Sequence, residues 1–149
     1  MSKSFYYVCF DGDMKEVELR LSNGEKDLEA GLLGACKGGK MDIVLFIISK
    51  AEARGLKLDW KSALLFAAEG GIMDIVRLVI SKGTNWTARD WNKGLLAACV
   101  GGNMETVNFM MSKGADLNEG LNGACIGGNL NLVKLMISKG ANDFARGFE

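Results

Sequence analysis

A segment of nine residues recurs along the chain, and this recurrence constrains the fold more than any other feature of the sequence. The segment holds small and apolar residues and, in four of its copies, ends in two glycines. The copies cover 4–12, 31–39, 63–71, 94–102 and 120–128, the first being the weakest. Successive copies lie about 26 to 32 residues apart, which is the spacing of stacked repeat proteins. The chain is therefore predicted to fold as a row of similar units.

The second half of each unit carries apolar residues at positions i, i+3 and i+7, the spacing of one helix face. These stripes are Met14/Val17/Leu21, Met41/Val44/Ile48, Met73/Val76/Ile80, Met104/Val107/Met111 and Leu130/Val133/Ile137. Each stripe is followed by a common stop signal, which ends at Gly24, Ala51, Gly83, Gly114 and Gly140. Its lysine suits the negative end of the helix dipole, and its glycine accepts a left-handed cap. Since the first half resembles a shorter helix, each unit is predicted to be a helix–turn–helix pair with its methionines in the core.

An aspartate, an apolar residue and, three positions later, a small residue open most of the units. The aspartates are Asp27, Asp59, Asp90 and Asp116, and Asp143 begins the pattern again near the last residue. An aspartate before a helix can accept a hydrogen bond from an otherwise unpaired amide, so each is predicted to be an N-cap. We divide a single domain, 1–149, into repeats 2–26, 27–58, 59–89, 90–115 and 116–142 and a C-terminal stub, 143–149.

Composition excludes several classes of function. The chain has no histidine, which rules out Ser-His-Asp and Cys-His catalysis and the zinc sites that need histidine. Its 18 Lys+Arg balance 18 Asp+Glu, so the usual electrostatic attraction to nucleic acid or anionic lipid is missing. The longest aliphatic and aromatic run, 43–48, is too short to span a bilayer, and the amino terminus lacks a secretion signal. We expect an intracellular, cytoplasmic protein that binds neither nucleic acid nor membranes.

The motifs within each unit resemble those of ankyrin repeats. Ala-Cys or Ala-Ala precedes the glycine pair, an acidic residue and Ile-Val or Leu-Val follow it in several units, and Ser-Lys-Gly-Ala closes two of them. The resemblance covers 4–148. It implies an all-α, right-handed solenoid of about five helix–turn–helix repeats plus the stub. The short Gly-Ala-Cys-x-Gly-Gly units are also similar to ankyrin arrays of large DNA viruses of amoebae.

The chain departs from the ankyrin pattern in three respects. The usual Thr-Pro-Leu-His start is replaced in every copy, for example by Ala-Gly-Leu-Leu at 30–33. Two units are about seven residues shorter than the usual ~33, which puts a regular β-hairpin in doubt at the first and last junctions. The histidine that usually follows the glycine is replaced by Asp13, Lys40, Ile72, Asn103 or Asn129.

The two ends of a repeat stack need polar faces, or the stack associates with itself. Glu16 and Arg20 occupy second-helix positions that are apolar in most later units, so the first unit is predicted to be an amino-terminal cap. At the other end, Phe144 and Phe148 either fold over the last helix pair, mark a truncated array or form a self-association face. We expect a monomer that this stub caps.

Two motifs that suggest ligand chemistry are better explained by the repeat. Residues 34–40 match the G-x-x-x-x-G-K of a phosphate-binding loop, but Met41 replaces the Ser or Thr that would hold magnesium, and no strand precedes the segment. Asp11-Gly12-Asp13 lacks the remaining ligands of a calcium loop. No cofactor or metal is therefore expected.

Four cysteines share one position of the repeat: Cys9, Cys36, Cys99 and Cys125. Packed helices lie about 8 to 10 Å apart, whereas a disulfide needs Cα atoms within about 7 Å and a zinc ion needs all four sulfurs at one point. The cysteines are therefore predicted to be small buried residues in a reducing compartment.

The tryptophans leave two interpretations open. Trp60 and Trp91 are equivalent in adjacent units, and Trp86 lies in the longer connection between them. They either fill the pocket at the start of a first helix, where other units carry Leu28 or Leu117, or form an aromatic pair at a binding surface.

The ankyrin resemblance implies a concave binding face that is formed by the connecting fingers and the first helices. The candidate protein-binding residues are Trp60 and Trp91, with Asp59, Lys61, Arg89, Asp90 and Asn92 from the fingers and Lys37, Glu69, Val100 and Ile126 from the first helices. Val100 and Ile126 are apolar where exposure is expected, which favours contact with a partner.

We therefore expect a module that binds a protein partner on its concave face and has no catalytic activity. The alternative is a structural role, as a self-associating array or as a fragment of a larger ankyrin-repeat adaptor. An enzyme would have to rely on carboxylates, and no pair of acids stands out in the repeat.

Overall fold

The computed structural model describes residues 3–142, which form ten α-helices and no β-strand. Each helix pair consists of a first helix, a turn of two or three residues and a second helix. The helices are α1 (Phe5–Asp11), α2 (Met14–Ser22), α3 (Leu28–Gly38), α4 (Met41–Ala53), α5 (Trp60–Gly70), α6 (Met73–Lys82), α7 (Ala88–Gly101), α8 (Met104–Ser112), α9 (Leu117–Ile126) and α10 (Leu130–Ser138). The predicted all-α helical repeat is confirmed.

The first helices α1, α3, α5, α7 and α9 pack side by side in chain order and form one layer, and each also packs on its own second helix. The surface of this layer that points away from the second helices is called the open face below. None of the helices within residues 3–142 has both the length and the apolar character that a bilayer crossing requires.

The two glycines that end the first helices α3, α5, α7 and α9 have different tasks. The second of them makes the turn with a positive φ, which is 71° at Gly39 and 77° at Gly102. Residues that carry a Cβ rarely adopt this backbone conformation. The first lies against the preceding first helix. A Cβ on Gly38 would lie 2.3 Å from the carbonyl oxygen of Phe10, and one on Gly101 would lie 2.1 Å from that of Glu69. The paired glycines therefore bring neighbouring helix backbones into contact as well as turning the chain.

The second helices begin with side-chain caps in three of the five pairs. Asp13, Asn103 and Asn129 each accept a hydrogen bond from the backbone N–H three residues later, at 3.1–3.2 Å. Lys40 and Ile72 hold the same place without a side-chain cap. Three of the residues that replace the usual ankyrin histidine thus satisfy an amide that the helix itself leaves unpaired.

The predicted aspartate caps of the first helices are confirmed at three positions. Asp27, Asp59 and Asp116 accept hydrogen bonds from backbone N–H groups of the first turn at 2.9–3.1 Å. The prediction for Asp90 is wrong, because α7 begins almost one turn earlier and is capped by Thr87. Asp90 instead accepts from the Thr87 backbone N–H at 2.8 Å and completes a capping box.

The ends of the second helices match the predicted left-handed glycine in several units but not at Gly83. Gly114 and Gly140 have φ of 82° and 116°, whereas Gly83 is extended with φ −85°. The indole of Trp86 packs against Gly83, and a Cβ there would lie 2.5 Å from its Cζ2 atom. The left-handed residue of this connection is Asn85, with φ 57°. In the second unit, α4 continues to Ala53, beyond the predicted stop.

The core lies between the two helix layers and between successive pairs. It contains the second-helix valines Val17, Val44, Val76 and Val107 and the first-helix leucines Leu32, Leu64, Leu95 and Leu121, all fully buried. Burial of these side chains is the main force that holds the pairs together. At the amino-terminal end, Arg20 donates to Glu16 at 2.9 Å and to the carbonyl oxygen of Lys3 at 2.7 Å, as a polar cap requires. The predicted stub with Phe144 and Phe148 lies outside the described residues.

Candidate functional site

Side chains from one repeat accept hydrogen bonds from the start of the next. The Glu29 carboxylate accepts from the Asp59 backbone N–H at 2.9 Å, the Asn92 amide oxygen from the Asp116 N–H at 2.8 Å, and the Asn118 amide oxygen from the Asn142 N–H at 2.8 Å. We call these bonds the junction ladder. Asn92, a candidate contact residue, is therefore engaged within the fold.

Lys61 occupies the same repeat position but cannot accept a hydrogen bond. Its ammonium group instead pairs with the Asp90 carboxylate and donates to the Asn85 carbonyl oxygen. Although burial opposes it, hydrogen bonds from Lys61 and Thr87 hold the pKa of Asp90 below its usual value. The Asp90 carboxylate thus binds Lys61 and also completes the capping box at the start of α7.

Trp86, in the connection between α6 and α7, and Trp91, in α7, pack against each other, and a lysine lies over the ring of each. The Trp86 and Trp91 rings lie 5.8 Å apart, with Lys61 Nζ 4.7 Å from the Trp86 ring and Lys113 Nζ 5.4 Å from the Trp91 ring. Trp86 also donates its indole N–H to the Ile80 carbonyl oxygen at 3.1 Å. Trp91 thus pairs with Trp86 and not with Trp60. All three indoles are half-buried and pack against the core, which favours the structural interpretation.

An aromatic cluster covers the open face at its amino-terminal end. The Tyr6 ring contacts Tyr7 at 4.9 Å, Phe10 at 6.3 Å and Phe66 at 6.1 Å between ring centroids. Burial raises the pKa of the Tyr6 phenol, and the nearby Lys37 ammonium opposes this shift. The Tyr7 side chain remains 56% exposed, so the cluster presents an aromatic surface to solvent.

One row of the open face changes character along the stack. Lys37 and Glu69, on α3 and α5, form an ion pair at 3.3 Å. The same repeat position is held by Val100 on α7, which is half-buried, and by Ile126 on α9, which is 63% exposed. The structure thus brings together two of the predicted contact residues as a neutralised pair and leaves two others as apolar surface.

A groove of about 260 Å³ runs on this face between α5 and α7. Its apolar lining comes from Leu65, Phe66, Leu96, Ala97 and Val100. The charged side chains of Glu69 and Lys93 also line it. Arg89 is exposed one turn before Lys93 on the same helix.

Sequence reasoning missed most of the groove. In each Leu-Leu pair of the repeat, the first leucine is fully buried, as Leu64 and Leu95 are, and the second, Leu65 or Leu96, lies on the open face. Leu65 and Leu96 could have been found from their positions in the first helices, because each directly precedes another lining residue, Phe66 or Ala97. Tyr6 and Lys93 were also not singled out.

The cysteine thiols of the first helices are free, and three of them are buried. Burial raises the pKa of Cys9, Cys36 and Cys99 to about 12, so these thiols stay protonated at neutral pH. Cys125 departs from the prediction because it is only half-buried: within the described residues, α9 has a neighbouring first helix on one side alone. No cluster of His, Cys, Asp or Glu that could hold a metal ion occurs in residues 3–142.

The two sequence motifs that suggest ligand chemistry, at 34–40 and 11–13, are parts of the helical repeat. Residues 34–40 form the end of α3 and the turn that follows, without the strand that a phosphate-binding loop needs. Asp13 caps α2, and Asp11 forms an ion pair with Lys3.

Comparison with models of protein families identifies the family of this chain. The family model for ankyrin repeats, in three copies, matches residues 32–120, which are more than half of the chain. No curated protein matches the sequence. The match runs from α3 into α9 and includes the turns at Gly39, Gly71 and Gly102 and the groove described above. The chain therefore belongs to the ankyrin-repeat family.

Proposed function

We propose that this chain is a non-catalytic module that binds a protein partner on the open face of its first-helix layer. Ankyrin repeats generally serve as protein–protein interaction modules. In the proposed complex, the open face is the concave surface that receives the partner. The described acids are mostly occupied as helix caps, ladder acceptors and ion-pair partners, which supports binding rather than catalysis.

The observation that carries the proposal is the apolar surface on the open face. Ile126 is 63% exposed, and Val100, Leu96 and Leu65 line a groove beside it. Leu65 packs against the buried core, whereas Leu96, Val100 and Ile126 are not among the residues that form the core cluster or pack on it. Exposed apolar patches of this kind mark interaction sites. Because the glycine contacts fix the helix backbones closely, a partner would be bound at little cost in ordering the module.

The candidate residues divide into two roles in this proposal. Lys37, Glu69, Val100, Ile126 and the exposed Arg89 are proposed to contact the partner. The remaining candidates hold the connections between repeats in place: Asp59, Trp60, Lys61, Asp90, Trp91 and Asn92. They support the binding surface without forming its centre.

The proposed location is the interior of a cell, and the proposed oligomeric state is a monomer. Free buried thiols suit a reducing compartment. The alternative is a structural array or a piece of a larger adaptor, which the exposed apolar residues Leu130 and Ile137 on α10 would favour. Sedimentation that shows association with rising concentration would decide for that alternative.

The test compares substitutions of two exposed aliphatic residues. Ile126→Glu places a charge on the open face, whereas Leu45→Glu places the same charge on α4, where Leu45 is 50% exposed. Tagged wild-type protein and both variants are used to capture partners, which mass spectrometry identifies. We expect the wild type and Leu45→Glu to retain a common partner and Ile126→Glu to lose it. Retention by Ile126→Glu with loss by Leu45→Glu would place binding on the second helices and contradict the proposal.

A further inference from the structure

Along the open face, helix α7 carries first two cationic side chains and then a group of apolar ones. Arg89 and Lys93 are four residues apart and both exposed. Leu96, Ala97 and Val100 follow at the three, four and seven positions after Lys93 and line the groove. Residues at these spacings share one side of a helix. With a rise of about 1.5 Å per residue, Lys93 and Val100 are separated by about 10 Å along the helix axis.

The charge near this groove is not balanced by its neighbours. Glu69, on the opposite wall, is paired with Lys37 at 3.3 Å, and Asp90 is paired with Lys61. Within residues 3–142, neither Arg89 nor Lys93 has an ion-pair partner. Glu119, at the position of Lys93 in the next repeat, has an interaction of its own. Lys93 therefore lines the groove as a cation that is free to meet a ligand, and Arg89 lies one helical turn closer to the start of α7.

We propose that the occupant of this groove is an acidic peptide segment with apolar anchors, an inference that rests on the proposed function. One apolar side chain would enter the space lined by Leu65, Leu96 and Val100, and carboxylates would lie on Lys93 and Arg89. Arginine binds a carboxylate with two parallel hydrogen bonds, which adds geometric selectivity. The separation of about 10 Å corresponds to about three residues of an extended peptide or about seven residues of a helical one.

The lining of the groove favours a peptide over a nucleic acid. A single-stranded nucleic acid needs a charged track along its backbone together with aromatic rings for base stacking. Here the two cations are grouped at one end, and the groove between α5 and α7 is lined mainly by aliphatic side chains. These features match a segment with separate acidic and apolar parts.

The test uses a displayed library of random peptides, selected on the wild-type chain and measured one by one by fluorescence anisotropy. We expect the selected peptides to be enriched in Asp or Glu beside Leu, Ile, Phe or Met. Lys93→Glu should weaken their binding by at least about tenfold, which corresponds to about 1.4 kcal/mol. Val100→Ser should weaken it comparably, and higher salt should weaken binding to the wild type. Lys134→Glu, at an exposed lysine of α10, is the matched charge control and should leave affinity unchanged.

A charge exchange makes the test specific. Peptides in which the critical acid is replaced by lysine should bind Lys93→Glu better than they bind the wild type. Circular dichroism melts of each variant check that the repeat stack remains folded. An oligonucleotide that displaces the peptides and binds more tightly than they do would overturn the peptide assignment.

The outcomes separate this inference from the proposed function. Peptides that lack acids, or whose binding is unaffected by Lys93→Glu while Ile126→Glu abolishes it, would overturn the acidic-segment inference and leave open-face binding intact. Selected peptides whose binding is lost only with Leu45→Glu would overturn both. Recovery of no binding peptide at all would count against the inference, while the capture experiment with Ile126→Glu would still decide on the open face.

Discussion

The rings of Tyr6 and Phe66 lie 6.1 Å apart although an entire helix separates the helices that carry them. Tyr6 belongs to α1 and Phe66 to α5, with α3 between them. Gly34 of α3 lets the backbone of α1 approach closely, because a Cβ there would lie 2.0 Å from the Tyr6 carbonyl oxygen. This aromatic contact thus links the first and third repeats across the second.

Gly34→Ala is predicted to destabilise the protein by roughly 1–3 kcal/mol, the usual cost of forcing extra atoms into a packed interior. The new methyl group would push α3 away from α1, because the atom it meets is backbone and cannot move aside alone. The loss should occur even though alanine favours helices more than glycine does. Urea unfolding followed by circular dichroism measures it.

Gly114→Ala is the control for this prediction. Gly114 has φ 82° with nothing within 4 Å of the added Cβ, so alanine there suffers backbone strain of about 1 kcal/mol without a steric clash. A smaller loss of unfolding free energy for Gly34→Ala than for Gly114→Ala would show that α1 and α3 are not packed as closely as described.

The parts of this fold that depend on local sequence were predictable. Asp27 and Asp116 are caps because an aspartate before an apolar stretch can bind the first free amides, and nothing further along the chain alters this. Asp90 has a similar local sequence but a different role, because Thr87 caps α7 and Asp90 completes the capping box while it pairs with Lys61 of the preceding repeat. The Thr-x-x-Asp signal is local, but the alignment of the aspartates between repeats hides it.

The groove was less predictable for a related reason. Leu64 and Leu65 are adjacent residues of the same type, yet Leu64 is buried and Leu65 lies on the open face. Which of the two is buried depends on the rotation of α5 about its axis relative to the neighbouring helices. That rotation is set by close contacts such as Gly70 against the Cys36 and Lys37 carbonyl oxygens. The repeat pattern could therefore indicate a binding face through Val100 and Ile126 without defining its shape.

Glu29 should make the stability of the protein depend on pH. Burial raises the pKa of its carboxyl above the ordinary 4.5, although the bond from the Asp59 N–H opposes the shift. Because the folded pKa exceeds the unfolded one, the contribution to stability is fully present below pH 4.5 and is lost as the pH rises through the folded value. Glu29→Gln keeps an acceptor for the Asp59 N–H without the charge. It should be more stable than the wild type at pH 7 and lose this advantage near pH 4, as thermal unfolding at both pH values would show.

Asn92→Asp makes the opposite change, from a neutral acceptor to a charged one. The Asn92 side chain accepts the equivalent bond of the junction ladder from the Asp116 backbone N–H. The substitution introduces a carboxylate next to the Asp116 carboxylate, so it should destabilise the protein at pH 7 and much less at pH 4.

A Glu29→Gln variant with the same pH profile as the wild type would contradict the first of these two predictions. It would show that the Glu29 carboxyl is solvated like an ordinary surface acid.

Cys125 is predicted to be the first of the described cysteines to react with a thiol reagent. It is half-buried, while Cys9, Cys36 and Cys99 are buried and have pKa values of about 12, which leaves almost no thiolate at neutral pH. Brief treatment of the native protein with iodoacetamide should therefore modify one site, located by peptide mass spectrometry. Cys125→Ala should remove the fast reaction, and rapid labelling of Cys36 in the native protein would contradict the burial described.

Thr106→Val is predicted to stabilise the stack by up to about 1 kcal/mol. Thr106 is fully buried on α8 at the position that Ile43, Ile75 and Leu132 hold in other repeats. Its hydroxyl contacts the Asn103 amide oxygen at 3.3 Å, but that oxygen also accepts the Thr106 backbone N–H at 3.1 Å. Valine has nearly the same shape, so removal of the hydroxyl leaves no buried group without a partner and makes the site more apolar. Thr106→Ala, which leaves a cavity instead, should be less stable than the wild type in the same urea titration, and a destabilised Thr106→Val would show that the hydroxyl bond outweighs the burial of a methyl group.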